Sequence, residues 1–165
     1  VMNFSILTPL YAGEILGEGL EIYGLLLSAI GAGSLLGAMV VASRSQGVPS
    51  LRLLYGSGIA ASLLLIVSTF LHNATAAAVL FSLLGFSCIF FITTTLSIVQ
   101  LHTEDRFRGR VMSIYSFVFL GITPVGNLLT GAFMEWAGAA GGLVACGMAA
   151  IIGLLLIAWR TKDRA

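Results

Sequence analysis

Five stretches of this chain, residues 22–42, 53–71, 76–99, 111–134 and 143–159, contain no Lys, Arg, Asp or Glu. Each is about 20 residues long, which is what an α-helix needs to cross a hydrocarbon core of ~30 Å at 1.5 Å per residue. Lipid offers no water to backbone N–H and C=O groups, so a spanning segment is either a helix or a strand of a closed barrel. The regular alternation of a barrel strand is missing, and the five runs are predicted as helices. A shorter apolar run over residues 1–12 cannot cross alone. The chain opens at Val1 without a basic leader or cleavage site, so this run is read as the end of a helix begun upstream. That makes six spans, an all-α polytopic membrane bundle. Composition points the same way, because 9% charged residues are far fewer than the ~25% that wet a soluble domain.

The connectors orient the bundle. The first is acidic (Glu14, Glu18, Glu21) and the second basic (Arg44, Arg52). The third, residues 72–75, has no formal charge, and the fourth holds Arg106, Arg108 and Arg110 beside Glu104 and Asp105. The fifth has Glu135, and the tail has Arg160, Lys162 and Arg164. All 8 basic residues therefore fall in alternate connectors, on one side. By the positive-inside rule that side is cytoplasmic, and both ends of the chain lie there. Ser50 after Pro49, and Thr75, read as helix starts. Asn73-Ala74-Thr75 is also a glycosylation sequon, but in so short a connector the capping reading is preferred.

Small residues mark places where helices approach closely. Ala29, Gly33 and Gly37 recur every four residues in the second span, with Gly31 nearby. Gly121, Pro124, Gly126 and Gly131 lie in the fifth span, and Gly138, Gly141 and Gly142 precede the sixth. In each group of three spans the middle helix is the glycine-rich one. Three is odd, so the second group enters from the opposite side, and the expected organisation is two inverted three-helix repeats, residues 1–72 and 73–165.

No catalytic constellation is present in this pattern, and no enzyme activity, cofactor or nucleic-acid partner is expected. His72 and His102 fall in connectors on opposite sides and cannot share a metal. Cys88 and Cys146 lie inside apolar runs and read as small packing residues. The spans carry no ionisable group, the usual mark of an ion or proton site, but they do carry neutral polar residues: Asn3, Ser5, Thr8, Thr93, Thr94, Thr95, Ser97, Asn127 and Thr130.

The segment 100–115, with Arg108-Gly109-Arg110-Val111-Met112-Ser113 at its centre, continues into Gly121-Ile122-Thr123-Pro124-Val125-Gly126 and Asn127 to Gly131. It resembles the link between helices 10 and 11 of major facilitator transporters, followed by helix 11. The likeness is nearest the branch of enterobactin-exporter-like and macrolide-efflux-like proteins. Asn3 to Tyr11, with Pro9, is similar to the family's helix 7, and Tyr23 to Gly37 to its helix 8. The family's acidic loop motif is altered, since Ser43 stands before Arg44 where an acidic residue is usual.

The resemblance implies the C-terminal half of a secondary transporter, helices 7–12, whose N-terminal six-helix half is a partner within the same polypeptide. It further implies a bacterial inner membrane, lipid as surroundings, a small amphipathic substrate, and proton-coupled efflux by alternating access. Any titrating residue is then expected in the other half. Helices 7, 8, 10 and 11 would surround the central cavity, with Asn3, Thr8, Thr94 and Asn127 offering hydrogen bonds and Tyr11 and Phe91 aromatic surface. The same polar side chains could instead bond to their own helices. Arg44, Arg106, Arg108 and Arg110 are candidates for a cytoplasmic gate or for anchoring alone. The competing function is a membrane scaffold or assembly module that moves no solute. A channel is a third reading, disfavoured by the lack of polar or charged rings.

Overall fold

The structure, a computed structural model, describes residues 8–9, 11–16, 20–43 and 50–162. Asn3, Ser5, Arg44 and Arg164 lie outside the described residues. A π-helical turn, Tyr11–Ile15, is followed by α1 (Leu20–Ser43), α2 (Leu51–Ser68), α3 (Ala74–Leu101) and α4 (Arg108–Lys162). All four α-helices are long and apolar enough to cross a membrane.

Helix starts follow local chemistry. Ser50 Oγ accepts from the Leu53 N–H at 3.2 Å, as its place before α2 predicts. At α3 the cap is Asn73 rather than Thr75: Asn73 Oδ1 accepts from the N–H groups of Thr75 at 2.9 Å and Ala76 at 3.4 Å. An Asx side chain reaches the N2 and N3 donors from the position before the first turn. The helix therefore begins two residues earlier than its hydroxyl indicates.

At about 80 Å, α4 is far longer than one crossing requires, and it is not one rod. Gly138 has φ 71° and ψ 175°, and the chain turns back on itself there. Thr130 Oγ1 lies 3.6 Å from Cys146 Sγ, although sixteen residues of straight helix would hold them about 24 Å apart. A Cβ on Gly142 would stand 3.1 Å from Met134 Cα. Both pairs are symmetric about Gly138, roughly one and two turns along each arm, so residues 108–137 and 139–162 form an antiparallel hairpin. Trp136, 95% exposed, stands at its tip, and Trp159, also exposed, lies near the far end of the second arm. About 30 Å of helix separates Trp159 from the corner, matching the spacing of the aromatic belts at the two faces of a bilayer.

The most extensive contact joins α1 to α3, and α2 packs against both α3 and α4. The α1–α3 crossing is set by glycine. A Cβ on Gly33 would overlap the Ser82 carbonyl, and one on Gly37 would lie 3.1 Å from Phe86 O. From the other side, a Cβ on Gly85 would overlap the Ile30 carbonyl and stand 3.0 Å from Ser34 Oγ. With no apolar-versus-water preference to drive helices together in lipid, such backbone approach is a main source of association. The buried core gathers Tyr11, Leu26, Leu65, Phe81, Leu84, Met134 and Leu143, all toward the end of the bundle that carries the hairpin corner.

Candidate functional site

Polar groups inside apolar helices are informative in proportion to how few are already satisfied. Most hydroxyls here bond within their own helix. Ser62 donates to Gly58 O at 2.9 Å, Ser68 to Leu65 O at 2.6 Å, Thr93 to Ile89 O at 2.6 Å and Thr95 to Phe91 O at 2.7 Å. Ser87, Ser113 and Thr123 do the same with the carbonyls of Leu83, Gly109 and Phe119. These side chains back-bond to the preceding turn and present no free donor.

Two side chains differ. Among the described residues, Thr8 Oγ1 and Asn127 Oδ1 are buried side-chain oxygens with no hydrogen-bond partner. An unsatisfied buried polar group costs about 1–3 kcal/mol, and in a lipid-surrounded helix no water comes to relieve it. Thr8 is fully buried beside the π-helical turn, and Asn127 sits half-buried in the first arm of the hairpin.

The other aromatic and polar candidates are placed differently. Tyr11 is fully buried; its hydroxyl donates to Leu71 O at 2.7 Å and its ring packs on Phe81 at a centroid distance of 5.0 Å. Thr94 is buried in α3. Phe91 lines an apolar cavity of about 280 Å³ between α2, α3 and the second arm of the hairpin, and none of the other candidates shares that wall. Of the candidates among the described residues, Phe91 is therefore the one that this cavity holds.

One contact has no local signal in the sequence. Glu14 Oε2 accepts from the Ala139 N–H at 2.8 Å, across 125 positions of chain. A carboxylate on the first N–H of a helix satisfies an orphan donor and meets the positive end of the helix dipole. Tyr11 and Glu14 thus tie the N-terminal turn to the end of α2, to α3 and to the hairpin corner, closing one end of the bundle. The cluster of Gly138, Gly141 and Gly142 marks the corner; only the fold supplies its partner.

At the opposite end, Arg108 pairs with Asp105 at 2.8 Å within the turn that begins α4, and the Arg106 guanidinium lies 5.5 Å from the centre of the Phe107 ring. Arg110 is exposed. Gly121 and Gly131 have nothing within 4 Å of where a Cβ would stand, Gly126 is half-buried and Pro124 is exposed. The first arm carries a long apolar surface around them, including Ile114, Phe117, Leu120, Val125 and Leu128. His72 and His102 flank opposite ends of α3 and bond to nearby carbonyls, and no metal-binding cluster occurs among the described residues.

The profile of the family described as transmembrane secretion effector, in the major facilitator superfamily, matches residues 2–163. The chain belongs to this family. No curated protein and no solved structure gives a match. Membership makes the chain an integral membrane protein of a transporter family, and its apolar helices are the lipid-embedded elements of that fold.

Proposed function

We propose that this chain is the C-terminal six-helix half of a proton-coupled exporter of the enterobactin- or macrolide-efflux type. It would work by alternating access against an N-terminal half of the same polypeptide. Its six spans form two inverted three-helix repeats, residues 1–72 and 73–165, with both ends in the cytoplasm of a bacterial cell and the proton carried by the other half. The family match supports the efflux reading. The observation that carries the binding face is the pair of buried oxygens, Thr8 Oγ1 and Asn127 Oδ1, left without partners. Both are hydrogen-bond acceptors (the hydroxyl can also donate), and the first arm around Asn127 exposes Val125, Leu128 and Leu129. An amphipathic solute with a few polar groups satisfies them once the alternating-access movement uncovers them. Asn3, Thr94, Tyr11 and Phe91 complete the candidate lining, with Tyr11 holding the packed end.

The experiment uses the full open reading frame in a bacterium stripped of its efflux pumps, scoring retention of labelled siderophore, macrolide and dye with and without a protonophore. Lower retention, reversed by the protonophore, is the expected result. Asn127→Leu removes an unsatisfied oxygen while keeping an apolar shape, so folded yield is expected to hold or rise as export falls by about tenfold, the equivalent of one or two hydrogen bonds. A variant that loses yield and export together would make Asn127 structural. Equal retention of every compound in wild type and empty vector, with protein in the membrane, would favour the scaffold reading.

The arginines serve as anchors for the cytoplasmic face. Arg108 already has a partner in its own turn, and exposed pairs contribute little. The double variant Arg108→Gln, Arg110→Gln is expected to export normally at normal membrane expression. A selective loss of export would instead make them gate residues, with Arg44 and Arg106 the next to test.

A further inference from the structure

The apolar cavity between α2, α3 and the second hairpin arm is separate from the Thr8 and Asn127 oxygens that carry the export reading. Its floor is Gly58, Ala61, Ser62 and Cys88, all buried, and its rim includes Gly153 and Ile157, the latter 57% exposed. Two glycines shape it in opposite ways. A Cβ on Gly58 would stand 2.7 Å from Leu154 Cδ1 and 3.1 Å from Phe91 Cδ2, so Gly58 lets those side chains lean onto α2. At Gly153 a Cβ would meet nothing within 4 Å, so the space beside it stays open.

The wall decides what fits. Its hydroxyl, Ser62 Oγ, donates to Gly58 O in its own helix, and no charged side chain faces the space. Water requires two to four polar partners to remain in a buried site, and apolar cavities stay dry. A dry cavity of about 150 Å³ accepts a benzene-sized hydrocarbon. This one, at about 280 Å³ and open at the rim, has room for a length of alkyl chain.

Its position selects the source. Gly58 lies roughly 10 Å along α2 from its start, and Cys88 and Phe91 roughly 15–20 Å from the end of α3. The cavity is thus inside the hydrocarbon core, in the half nearer Arg52 and the 104–110 loop. Past the rim, Leu155 and Leu156 are also exposed, so the mouth opens onto continuous apolar surface. We infer that this groove between α2, α3 and the second hairpin arm is a binding site for the acyl tail of a bilayer lipid. The lipid belongs to the leaflet at the basic end of the bundle, and the site is independent of the export reading.

The full-length protein is reconstituted in phosphatidylcholine vesicles containing a trace of phosphatidylcholine with a diazirine near the terminal methyl of one tail. After irradiation the adducts are mapped by mass spectrometry. Adducts are expected to concentrate on Cys88, Phe91 and the 150–157 segment, above exposed apolar residues elsewhere on the same helices, such as Leu63 and Leu83. Gly153→Leu fills the open space and is expected to abolish the first set while leaving the second. Uniform labelling, or cavity adducts unchanged by Gly153→Leu, overturns the site. Absence of cavity adducts in wild type also overturns it, because protein rather than lipid would then cover the mouth. Should Gly153→Leu fail to fold, the wild type is labelled with a second probe whose diazirine adjoins the headgroup. That probe is expected to miss the cavity, and labelling there equal to the tail probe's refutes an acyl-tail site.

Discussion

Gly33→Leu is expected to destabilise the bundle by about 3 kcal/mol or more, at the upper end of what overpacking costs. The reason lies in what the new side chain meets. A Cβ on Gly33 overlaps the carbonyl of Ser82, which is helical backbone and has no rotamer to yield. The only relief is for α1 and α3 to separate, and that also loosens the reciprocal approaches at Gly37–Phe86 and Gly85–Ile30. Gly31 is the control: it is on the same helix, exposed, with nothing within 4 Å of a Cβ. Gly31→Leu is expected to be neutral or stabilising, because Leu has the better helix propensity by somewhat under 1 kcal/mol. Unfolding can be followed through Cys88, 5% exposed, by its reaction with a thiol-specific dye on heating, with Cys146→Ala as the background. A destabilisation of about 3 kcal/mol lowers the midpoint by about 6–12 °C for a chain of this size. Equal midpoints for the two variants would mean that the crossing tolerates a side chain and that the glycine spacing is incidental.

This contrast shows what can be read from the residues alone. Absence of charge over five runs predicts the helices because lipid imposes a length and forbids unsatisfied backbone. The four-residue spacing of Gly33 and Gly37 marks one side of a close approach. It does not name the other side, since lipid solvates every apolar face of α3 equally well and leaves no polar stripe to orient it. Gly85 escapes notice for that reason, being a lone glycine without the repeat that distinguishes α1. The polar residues pose a similar problem. Thr93, Thr95, Thr8 and Asn127 are alike as residues in apolar runs, yet two bond to their own helix and two are unpartnered. That division depends on side-chain rotamer and on what packs alongside, neither of which a sequence pattern encodes. In the sequence Glu14 is one of three acidic residues in a connector, and its contact with Ala139 exists only because the hairpin corner is brought to it.

Gly138 tests a different constraint at that corner. Its dihedrals, φ 71° and ψ 175°, fall in a region populated almost only by glycine, where any other residue costs about 1–3 kcal/mol. Space is not the obstacle, as the nearest atom to a Cβ there is Glu14 Oε2 at 4.0 Å. Gly138→Ala is therefore expected to be nearly as damaging as Gly138→Val, whereas damage at Gly33 should grow with side-chain size as the helices are pushed further apart. The consequence at Gly138 is also local: the corner must re-form with other dihedrals, which displaces Ala139 from Glu14 and shifts the two arms out of register. Thr130 and Cys146, 3.6 Å apart across the hairpin, report the register directly. With Cys88→Ala and Thr130→Cys, oxidation is expected to form a disulfide to Cys146 in the Gly138 background, since sulfurs replacing that contact lie within bridging reach. In Gly138→Ala its yield is expected to fall sharply, while a pair placed across the α1–α3 crossing stays unchanged. If the disulfide forms equally well in both, the two arms hold their register through packing alone. The positive φ is then a tolerance of the corner and not its cause, and Glu14 becomes the next residue to replace, because its carboxylate would be the remaining contact that holds the corner to the N-terminal turn.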